Sequence, residues 1–287
     1  MVIDGLFVGV FLFAALIGSS ADIRTREVPD WLNYGLIFAG IGMRLIYSVS
    51  SFDWSYLIEG VLGLAAFFGL ACLMFYTGQW GGGDAKMLMG IGALIGLRMD
   101  WHDLSVSFIA NVFLVGALYA LVWAIALAIT RRARFVSELR KITGTPAMVR
   151  LRKIVLVAAV LLLVAGFFVA DAMLRILLFS LLILSLAAFY LWMGVKAVEK
   201  ACMLKNIAPE KLTEGDWLAE EIRVGRRVIA GPADLGIARE QIAELIALRK
   251  KKKIRTVLVK EGIPFVPSFL LAFIASWYFG NLFLLVV

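Results

Sequence analysis

The sequence predicts an all-α polytopic membrane protein, a bundle of about eight transmembrane helices with a small α+β cytoplasmic domain. Of its 287 residues, 62% are hydrophobic and only 17% are charged, whereas a typical soluble domain has about a quarter of its residues charged. The apolar residues also fall into runs of about 20, the length that crosses a bilayer as a helix. These observations exclude an ordinary soluble globular protein.

Eight apolar segments follow one another along the chain. The predicted spans are residues 3–20, 32–49, 56–76, 87–98, 105–129, 154–170, 173–194 and 264–286. The first is expected to be an uncleaved span, because MVIDG carries Asp4 where a secretory signal carries basic residues. The fourth is short, so its helix is expected to start near the preceding glycines or to tilt into the bundle. A tight turn near Asp171 separates the sixth from the seventh.

These segments divide the chain into five predicted parts. They are a catalytic membrane core of five spans (1–130), a basic cytoplasmic loop (131–153), an additional helical hairpin of two spans (154–195), a soluble α+β domain (196–262) and a last span (263–287). In the soluble part, EEIRVGRRVIAG predicts a hairpin turning near Gly225. IAREQIAELIAL predicts a helix with Ile242, Leu245 and Ile246 on one face, and IRTVLV predicts a strand.

The basic residues predict the orientation of the chain in the cell membrane. With eight alternating spans, 26 of the 29 Lys and Arg residues fall on one side. Because basic loops stay in the cytoplasm, that side is predicted to be cytoplasmic, with both termini outside. The run RKKKK at 249–253 is interpreted as orienting the chain or contacting anionic headgroups, and not as binding nucleic acid. The predicted partner is the lipid bilayer, and the oligomeric state is left open.

Cysteine and histidine give little support to a metal site or a cofactor. Cys72 and Cys202 lie far apart in sequence and form no CxxC pair. The single histidine, His102, is interpreted as a loop residue. The sequence therefore predicts no metal, no cofactor and no disulfide framework.

Two carboxylates, Asp22 and Asp84, are predicted to lie at the same membrane depth. Asp22 leaves the first span within SADIRTREVPDWLN, and Asp84 enters the fourth within WGGGDAK, both from the cytoplasmic side. At about 4 Å and an effective dielectric near 20, two such charges repel by about 4 kcal/mol, which holds one proton on the pair near neutral pH. Such a pair suits acid–base hydrolysis, in which one carboxyl group deprotonates water and the other hydrogen-bonds the scissile carbonyl. The sequence does not assign the proton to either aspartate.

Three glycines precede Asp84. Gly81, Gly82 and Gly83 permit unusual φ angles and the close approach of another backbone, as an extended peptide substrate requires. The alternative is a flexible turn before a helix whose N-cap is Asp84.

Three further charged residues lie near the pair in sequence. Glu27 and Lys86 each have two possible roles, and Asp30 has one. Glu27 is a candidate for attracting a basic substrate residue, or is a solvated loop residue. Lys86 steadies the region of Asp84 or marks the cytoplasmic boundary. Asp30, after Pro29, is interpreted as a helix cap.

Both aspartate segments resemble a known family. Gly81-Gly82-Gly83-Asp84 fits the GxGD motif of membrane aspartyl proteases, and Asp22-Ile23-Arg24 through Val28-Pro29-Asp30 and Asn33 resembles the first-aspartate segment of type IV prepilin peptidases. EGIPFVPSFLLAF and LTEGDWLAEEI are similar to the last span and the soluble domain of the archaeal branch, the preflagellin (archaellin) peptidases. The resemblance covers the first five spans, residues 196–262 and the final span.

The resemblance implies an aspartic endopeptidase that removes short basic leader peptides from pilin-like or archaellin precursors at the cytoplasmic membrane face. It implies catalytic roles for Asp22 and Asp84. Bacterial relatives often carry paired CxxC motifs and methylate the new N-terminus; this chain has no such pair, so we expect protease activity alone. The hairpin at 154–195 goes beyond the compact archaeal form.

Three other functions are compatible with parts of the pattern. A presenilin or signal-peptide-peptidase type protease also uses GxGD, but carries a Pro-Ala-Leu segment where this chain has IPFVPSF. A proton-coupled transporter favours midplane acids and paired broken helices. A non-enzymatic assembly factor leaves the two aspartates unexplained.

Overall fold

The computed structural model describes residues 2–225 and 227–285, without the side chains of residues 2–4 and 285. Within these residues the chain forms ten α-helices: α1 (Val2–Thr25), α2 (Asp30–Ser51), α3 (Ser55–Tyr76), α4 (Gly82–Ile95), α5 (Leu104–Thr130), α6 (Arg132–Gly144), α7 (Pro146–Phe168), α8 (Ala172–Val198), α9 (Arg239–Lys250) and α10 (Val266–Phe279). The five strands are β1 (Leu204–Ile207), β2 (Trp217–Leu218), β3 (Ile222–Val224), β4 (Arg227–Ala230) and β5 (Val257–Lys260). The predicted class, a helical membrane protein with a small sheet region, is confirmed.

Six of the described helices, α1, α2, α3, α5, α7 and α8, are long and apolar enough to cross a membrane. The other two predicted spans correspond to α4 and α10, which have 14 residues each. Such a helix is about 21 Å long, shorter than the hydrocarbon core of about 30 Å. The count of eight spans is therefore not confirmed. As predicted, the fourth segment becomes helical among the glycines, at Gly82.

The predicted last span, 264–286, is longer than the helix that forms there. Helix α10 ends at Phe279, because Gly280 adopts a φ of 68° and turns the chain. Residues 286 and 287 of the predicted span and domain lie outside the described residues.

The chain forms two compact units, one made of Met1–Val122 with Ile207–Val287 and the other of Trp123–Asn206. In the first unit, the rings of Phe11 and Phe273 stack between α1 and α10 with centroids 3.9 Å apart. Helix α4 is enclosed by α2 and α3, and a Cβ at Gly63 would lie 2.3 Å from the carbonyl oxygen of Gly92. Glycine is required at this crossing because the two backbones touch, as at many membrane helix contacts.

A buried arginine defines the end of α4. The Arg44 Nε donates to the carbonyl of Leu94 over 3.1 Å, and its terminal nitrogens donate to the carbonyls of Ile95 and Tyr56. Arg44 also pairs with Glu59 at 3.6 Å. The last carbonyls of a helix lack intrahelical partners, and here a guanidinium satisfies two of them. Helix α4 therefore stops inside the bundle.

The portion of the predicted soluble domain that belongs to the first unit, residues 207–262, is called the soluble part below. It contains the predicted hairpin, helix and strand. Strands β3 and β4 pair antiparallel around Gly225, whose φ is 64°. Leu245 of α9 is fully buried, and Ile242 packs against the same core. Strand β5 pairs antiparallel with β2, so the strand predicted from IRTVLV is confirmed.

The second unit departs from the predicted segment boundaries. The basic segment 131–153, predicted to be a loop, forms α6 and the first turns of α7. Phe135 and Ile142 lie two helical turns apart and give this basic segment an apolar face. Phe135 packs against the apolar core of the unit, and Ile142 is buried. Residue 196, the predicted start of the soluble domain, lies inside α8, which continues as a π-helical turn to Met203.

The predicted tight turn between α7 and α8 is confirmed. The carboxylate of Asp171 accepts a hydrogen bond from the Leu174 N–H over 2.7 Å and caps α8. Gly166 of α7 faces Phe179 of α8, where a Cβ would lie 2.4 Å from the ring. The two helices form an apolar hairpin whose outer surface is largely exposed.

Candidate active site

Asp22 lies in the last turn of α1, and its side chain is only 5% exposed. Helix α1 ends just beyond it, where Arg26 adopts a φ of 62° before Pro29. The Asp22 Oδ2 accepts a hydrogen bond from the backbone N–H of Val266 over 2.9 Å. Val266 is the first residue of α10, so a carboxylate at the end of one helix receives an N–H from the positive start of another.

Asp84 lies in the first turn of α4, and its side chain is partly buried. Its Oδ2 accepts a hydrogen bond from the backbone N–H of Gly81 over 3.2 Å. The helix N-cap is Gly81 and Asp84 is the third helical residue, so the interpretation of Asp84 as the N-cap is wrong. Its carboxylate nevertheless satisfies a donor at the helix start.

Asp22 lies at the end of α1 and Asp84 at the start of α4, and the charge of Asp22 acts on Asp84. Burial and the nearby Asp22 charge raise the pKa of Asp84 to about 7. The Gly81 N–H opposes this shift only weakly, because it is the smallest of the three influences. A carboxyl group with such a pKa carries a proton for much of the time near neutral pH.

The three glycines before Asp84 follow only part of the prediction. None of them adopts a positive φ, so the expected unusual backbone angles are absent at Gly81, Gly82 and Gly83. Close approach does occur, since a Cβ at Gly83 would lie 3.2 Å from the backbone nitrogen of Val28. Positions 81 and 82 have more open surroundings. The glycines therefore let the start of α4 pack against the loop that follows Asp22.

Lys86 connects α4 to α2. Its Nζ lies 2.6 Å from the Asp30 carboxylate and 5.6 Å from the centroid of the Tyr34 ring. The start of α2 has no side-chain cap, so the interpretation of Asp30 as a cap is wrong. The steadying role predicted for Lys86 agrees with this geometry, because the pair ties the first turn of α4 to the first turn of α2.

Glu27 lies in the loop between α1 and α2 and is exposed. Its charge acts on Asp216 of the soluble part, where burial in the first place and Glu27 in addition raise the pKa of Asp216. Glu27 thus lies at the rim of the site, facing the soluble part. It is not brought together with Asp22 and Asp84.

An aromatic contact near the aspartates was not predicted from the sequence. Trp80, directly before the glycines, lies 5.2 Å from Phe265 and 5.5 Å from Phe269 between ring centroids. Phe265 immediately precedes Val266, the donor to Asp22. The segment leading to Asp84 and the segment holding Asp22 therefore pack against each other. The two prolines of IPFVPSF were the one sequence signal that this segment has a fixed backbone.

The arrangement suits proton transfer by carboxyl groups. Across residues 2–225 and 227–285, no group of three His, Cys, Asp or Glu side chains is placed to hold a metal ion. Both carboxyl groups accept a backbone N–H, Asp22 from Val266 and Asp84 from Gly81, and two such groups can exchange protons as an acid and a base. The fold and this site define a polytopic helical membrane protein in which one aspartate lies at the end of α1 and another at the start of α4.

Residues 9–125, which contain both aspartates, match the sequence profile of the type IV leader peptidase family. The resemblance predicted from the two aspartate segments is thereby confirmed for this part of the chain. Similar curated proteins include preflagellin peptidases of Methanococcus maripaludis, 39% identical over 80 residues, and Methanocaldococcus jannaschii, 38% identical over 80 residues. Each alignment covers 28% of this chain and 34% of the relative.

A third similar protein is the prepilin peptidase EppA of Methanothermobacter thermautotrophicus, 28% identical over 122 residues, or 42% of this chain and 30% of that protein. The alignments thus span about a third of the length of the curated relatives. No solved structure matches the chain.

Proposed function

We propose that the protein is a membrane aspartyl endopeptidase that cleaves the short basic leader peptide from pilin-like or archaellin precursors. The observation that supports this proposal is that the segment matching leader peptidases contains both Asp22 and Asp84, and that the charge of Asp22 acts on Asp84. The names of the curated relatives, preflagellin and prepilin peptidase, supply the substrate class.

In the proposed mechanism the two aspartates have different roles. Asp22 is the proposed ionised member, because the N–H bond it accepts from Val266, at 2.9 Å, is shorter than the 3.2 Å bond that Asp84 accepts from Gly81 and so favours the charged form more. It takes a proton from water, and the resulting hydroxide attacks the scissile carbonyl. Asp84 holds a proton, hydrogen-bonds the carbonyl oxygen and then donates that proton to the leaving amine. Proton transfer between the two carboxyl groups restores the starting state.

The substrate is proposed to lie extended beside the start of α4. A helical substrate hides its carbonyls in internal hydrogen bonds, so the peptide must open before cleavage. The open surroundings of Gly81 and Gly82 offer backbone for such a peptide to pair with. At the rim, Glu27 is proposed to attract a basic leader residue, while Lys86 keeps α4 in place through Asp30.

We further propose that the chain crosses the cell membrane eight times, with the site at the cytoplasmic face and both termini outside. The six long helices leave two crossings to α4 and α10, which are short enough to require thinning of the bilayer or tilting of their neighbours. The support for this arrangement is the charge distribution, since it gathers 26 of the 29 basic residues on the cytoplasmic side.

The proposal is tested with the purified full chain in lipid vesicles and a set of archaellin and pilin precursors. We expect one new N-terminus per cleaved precursor, identified by sequencing the product. Asp22→Asn and Asp84→Asn should each lower turnover to near background, because asparagine cannot exchange a proton in this pH range. Residues that act as a unit are non-additive, so the double variant should be scarcely worse than either single one.

Asp171→Asn is the matched control, because Asp171 caps α8 in the other unit and asparagine also caps well. It should cleave at the wild-type rate. Near-normal cleavage by either Asp22→Asn or Asp84→Asn would exclude the aspartate pair as the catalytic group. Failure of the wild-type chain to cut any precursor would argue against the substrate class.

A further inference from the structure

The soluble part of the first unit is joined by the chain itself to the segment that holds Asp22. Strand β5 ends at Lys260, and six residues later Val266 donates its N–H to the Asp22 carboxylate. Along this connection Glu261 lies 4.0 Å from Arg26, which follows the end of α1. A short chain connection thus links β5 to the donor of Asp22.

The same soluble part contacts the segment that leads to Asp84. The ring of Trp217, on β2, packs on Gly78 so closely that a Cβ at position 78 would lie 3.0 Å from it. Gly78 also has a φ of 69°, which other residues rarely adopt. It lies in the turn between α3 and α4, six residues before Asp84. A shift of β2 is therefore transmitted to the start of α4.

The two contacts are made from neighbouring strands, because β2 and β5 pair antiparallel. Trp217 is paired with Lys260 in the antiparallel register, and Leu218 with Val259. Leu218 and Val259 are both buried in the core of the soluble part. The residue that touches the Asp84 segment thus lies opposite the residue from which the Asp22 segment departs.

We propose that Trp217 is a positioning residue through which the β2–β5 pair sets the separation of Asp22 and Asp84. This inference rests on the proposed function, since it assigns a role in the same site. The inner contact between Trp80 and Phe265 joins the two segments beside the aspartates, and Trp217 joins them from the soluble side. Without the Trp217 ring, the turn at Gly78 loses its support and the start of α4 moves independently of α10.

The charged groups near Trp217 and the two aspartates are unchanged by substitution of Trp217. Arg26 acts on Asp22, and Glu27 acts on Asp216, the residue before Trp217. Asp84 feels Asp22. Removing the Trp217 ring therefore changes the separation of Asp22 and Asp84 without removing a charge.

The test compares Trp217→Ala with Trp217→Phe, which keeps a ring, and with Ile222→Ala in β3, which weakens the same soluble core from the other sheet. In vesicles, Trp217→Ala should lower kcat about 10-fold or more, because small misplacements of catalytic groups are costly. The alkaline limb of its pH profile should move to lower pH. An increase in the Asp22–Asp84 separation from about 4 Å to about 6 Å moves it by about one unit. Trp217→Phe should stay within about twofold of the wild type, and Ile222→Ala should keep the wild-type pH profile.

Hydrogen exchange of the amides of Gly78–Asp84 and Val266 provides a readout that does not need cleavage. Trp217→Ala should speed exchange in both segments, whereas Ile222→Ala should not. A folded Trp217→Ala protein with wild-type turnover, pH profile and exchange would overturn the inference, as would the same changes in Ile222→Ala. If the wild-type chain cleaves no precursor, the exchange results still decide the inference, and only the proposed function fails.

Discussion

The backbone N–H of Val266 donates to the Asp22 carboxylate over 2.9 Å, although 244 positions separate the two residues in sequence. The bond is buried, where a hydrogen bond to a charged group is worth more than at the surface. Val266 begins α10, so the end of the first helix and the start of the last helix meet at a candidate catalytic group. The last helix is thus part of the site, although no residue of α10 itself carries an acidic side chain.

The first prediction concerns the dependence of cleavage on pH. The pKa of Asp84 is raised to about 7, and the proposed mechanism needs Asp84 protonated and Asp22 ionised. Turnover should therefore fall as the pH rises through about 7, and fall again at acid pH when Asp22 binds a proton, giving a bell-shaped profile. Initial rates across the pH range provide the measurement.

The control for this profile is His102→Gln. His102 lies in the turn before α5, where its backbone N–H donates to Asp100. Because it is placed outside the site, its substitution should leave both limbs unchanged. A profile whose alkaline limb moves in His102→Gln would assign that limb to the histidine.

The same raised pKa predicts how stability depends on pH. A carboxyl group whose pKa is higher in the folded state contributes stability below its unfolded pKa of about 4 and loses it as the pH rises through about 7. Asp84→Asn removes this contribution, because asparagine does not ionise. Between pH 5 and 8, the melting temperature should therefore fall less in Asp84→Asn than in the wild type. An equal fall in both proteins would show that Asp84 is not the group responsible.

A buried amide without a partner predicts a stabilising substitution. Asn33 is fully buried in α2, and among the described residues no group hydrogen-bonds its amide. Burying such a group costs about 1–3 kcal/mol, and an apolar side chain of similar shape avoids that cost. Asn33→Leu should therefore raise the melting temperature.

Asn111 is the matched control, because it is equally buried but fully bonded. Its amide donates to Ser276 and Gly280 and accepts from the Leu282 N–H, over distances of 2.8–3.0 Å. Asn111→Leu leaves these groups unpaired and should lower the melting temperature. If both leucine variants destabilise the protein equally, the unpaired amide of Asn33 is not a source of instability.

The helices were predictable from the sequence because each long span is a run of apolar residues that any bilayer selects. The end of α4 at Ile95 was not predictable, since it depends on Arg44, about fifty positions away, donating to the carbonyls of Leu94 and Ile95. Likewise, Asp30 after a proline is typical of a cap, and only the tertiary structure shows that Lys86 lies within 2.6 Å of its carboxylate. Local patterns do not contain such partners.

The candidate site was predictable to a similar degree. Topology alone predicts that Asp22 and Asp84 share one depth, because each lies next to a predicted span on the predicted cytoplasmic side. The contacts of Val266 with Asp22 and of Trp217 with Gly78 join distant segments. They depend on how the last helix and the soluble part pack, which no single motif encodes.

Arg44 predicts a large loss of stability from one substitution. Its guanidinium caps α4 and pairs with Glu59, and its side chain is 7% exposed. Removing it leaves the carbonyls of Leu94, Ile95 and Tyr56 without this donor, and each buried acceptor left unsatisfied costs about 1–3 kcal/mol. Arg44→Leu should lower the melting temperature strongly. Arg98→Gln, which removes the other partner of Glu59 at 3.4 Å from a 69% exposed side chain, should cost about 1 kcal/mol or less.

The last prediction tests the orientation of the chain in the membrane. Single cysteines are introduced by Asp53→Cys between α2 and α3, Arg140→Cys in α6 and Glu240→Cys in α9, after replacing the native Cys72 and Cys202. All three positions are exposed. Glu240 is preferred to Gly215, since a φ of 94° at Gly215 would strain a cysteine.

With eight crossings and cytoplasmic basic segments, a membrane-impermeant maleimide added to intact cells should label position 53 alone. Positions 140 and 240 should react only after the membrane is opened, because the segments that carry them hold most of the basic residues. Labelling of position 240 from outside, with 140 protected, would show that the chain crosses an odd number of times between them. The soluble part would then lie on the opposite side from α6, and the proposed cytoplasmic site beside Trp217 would be wrong.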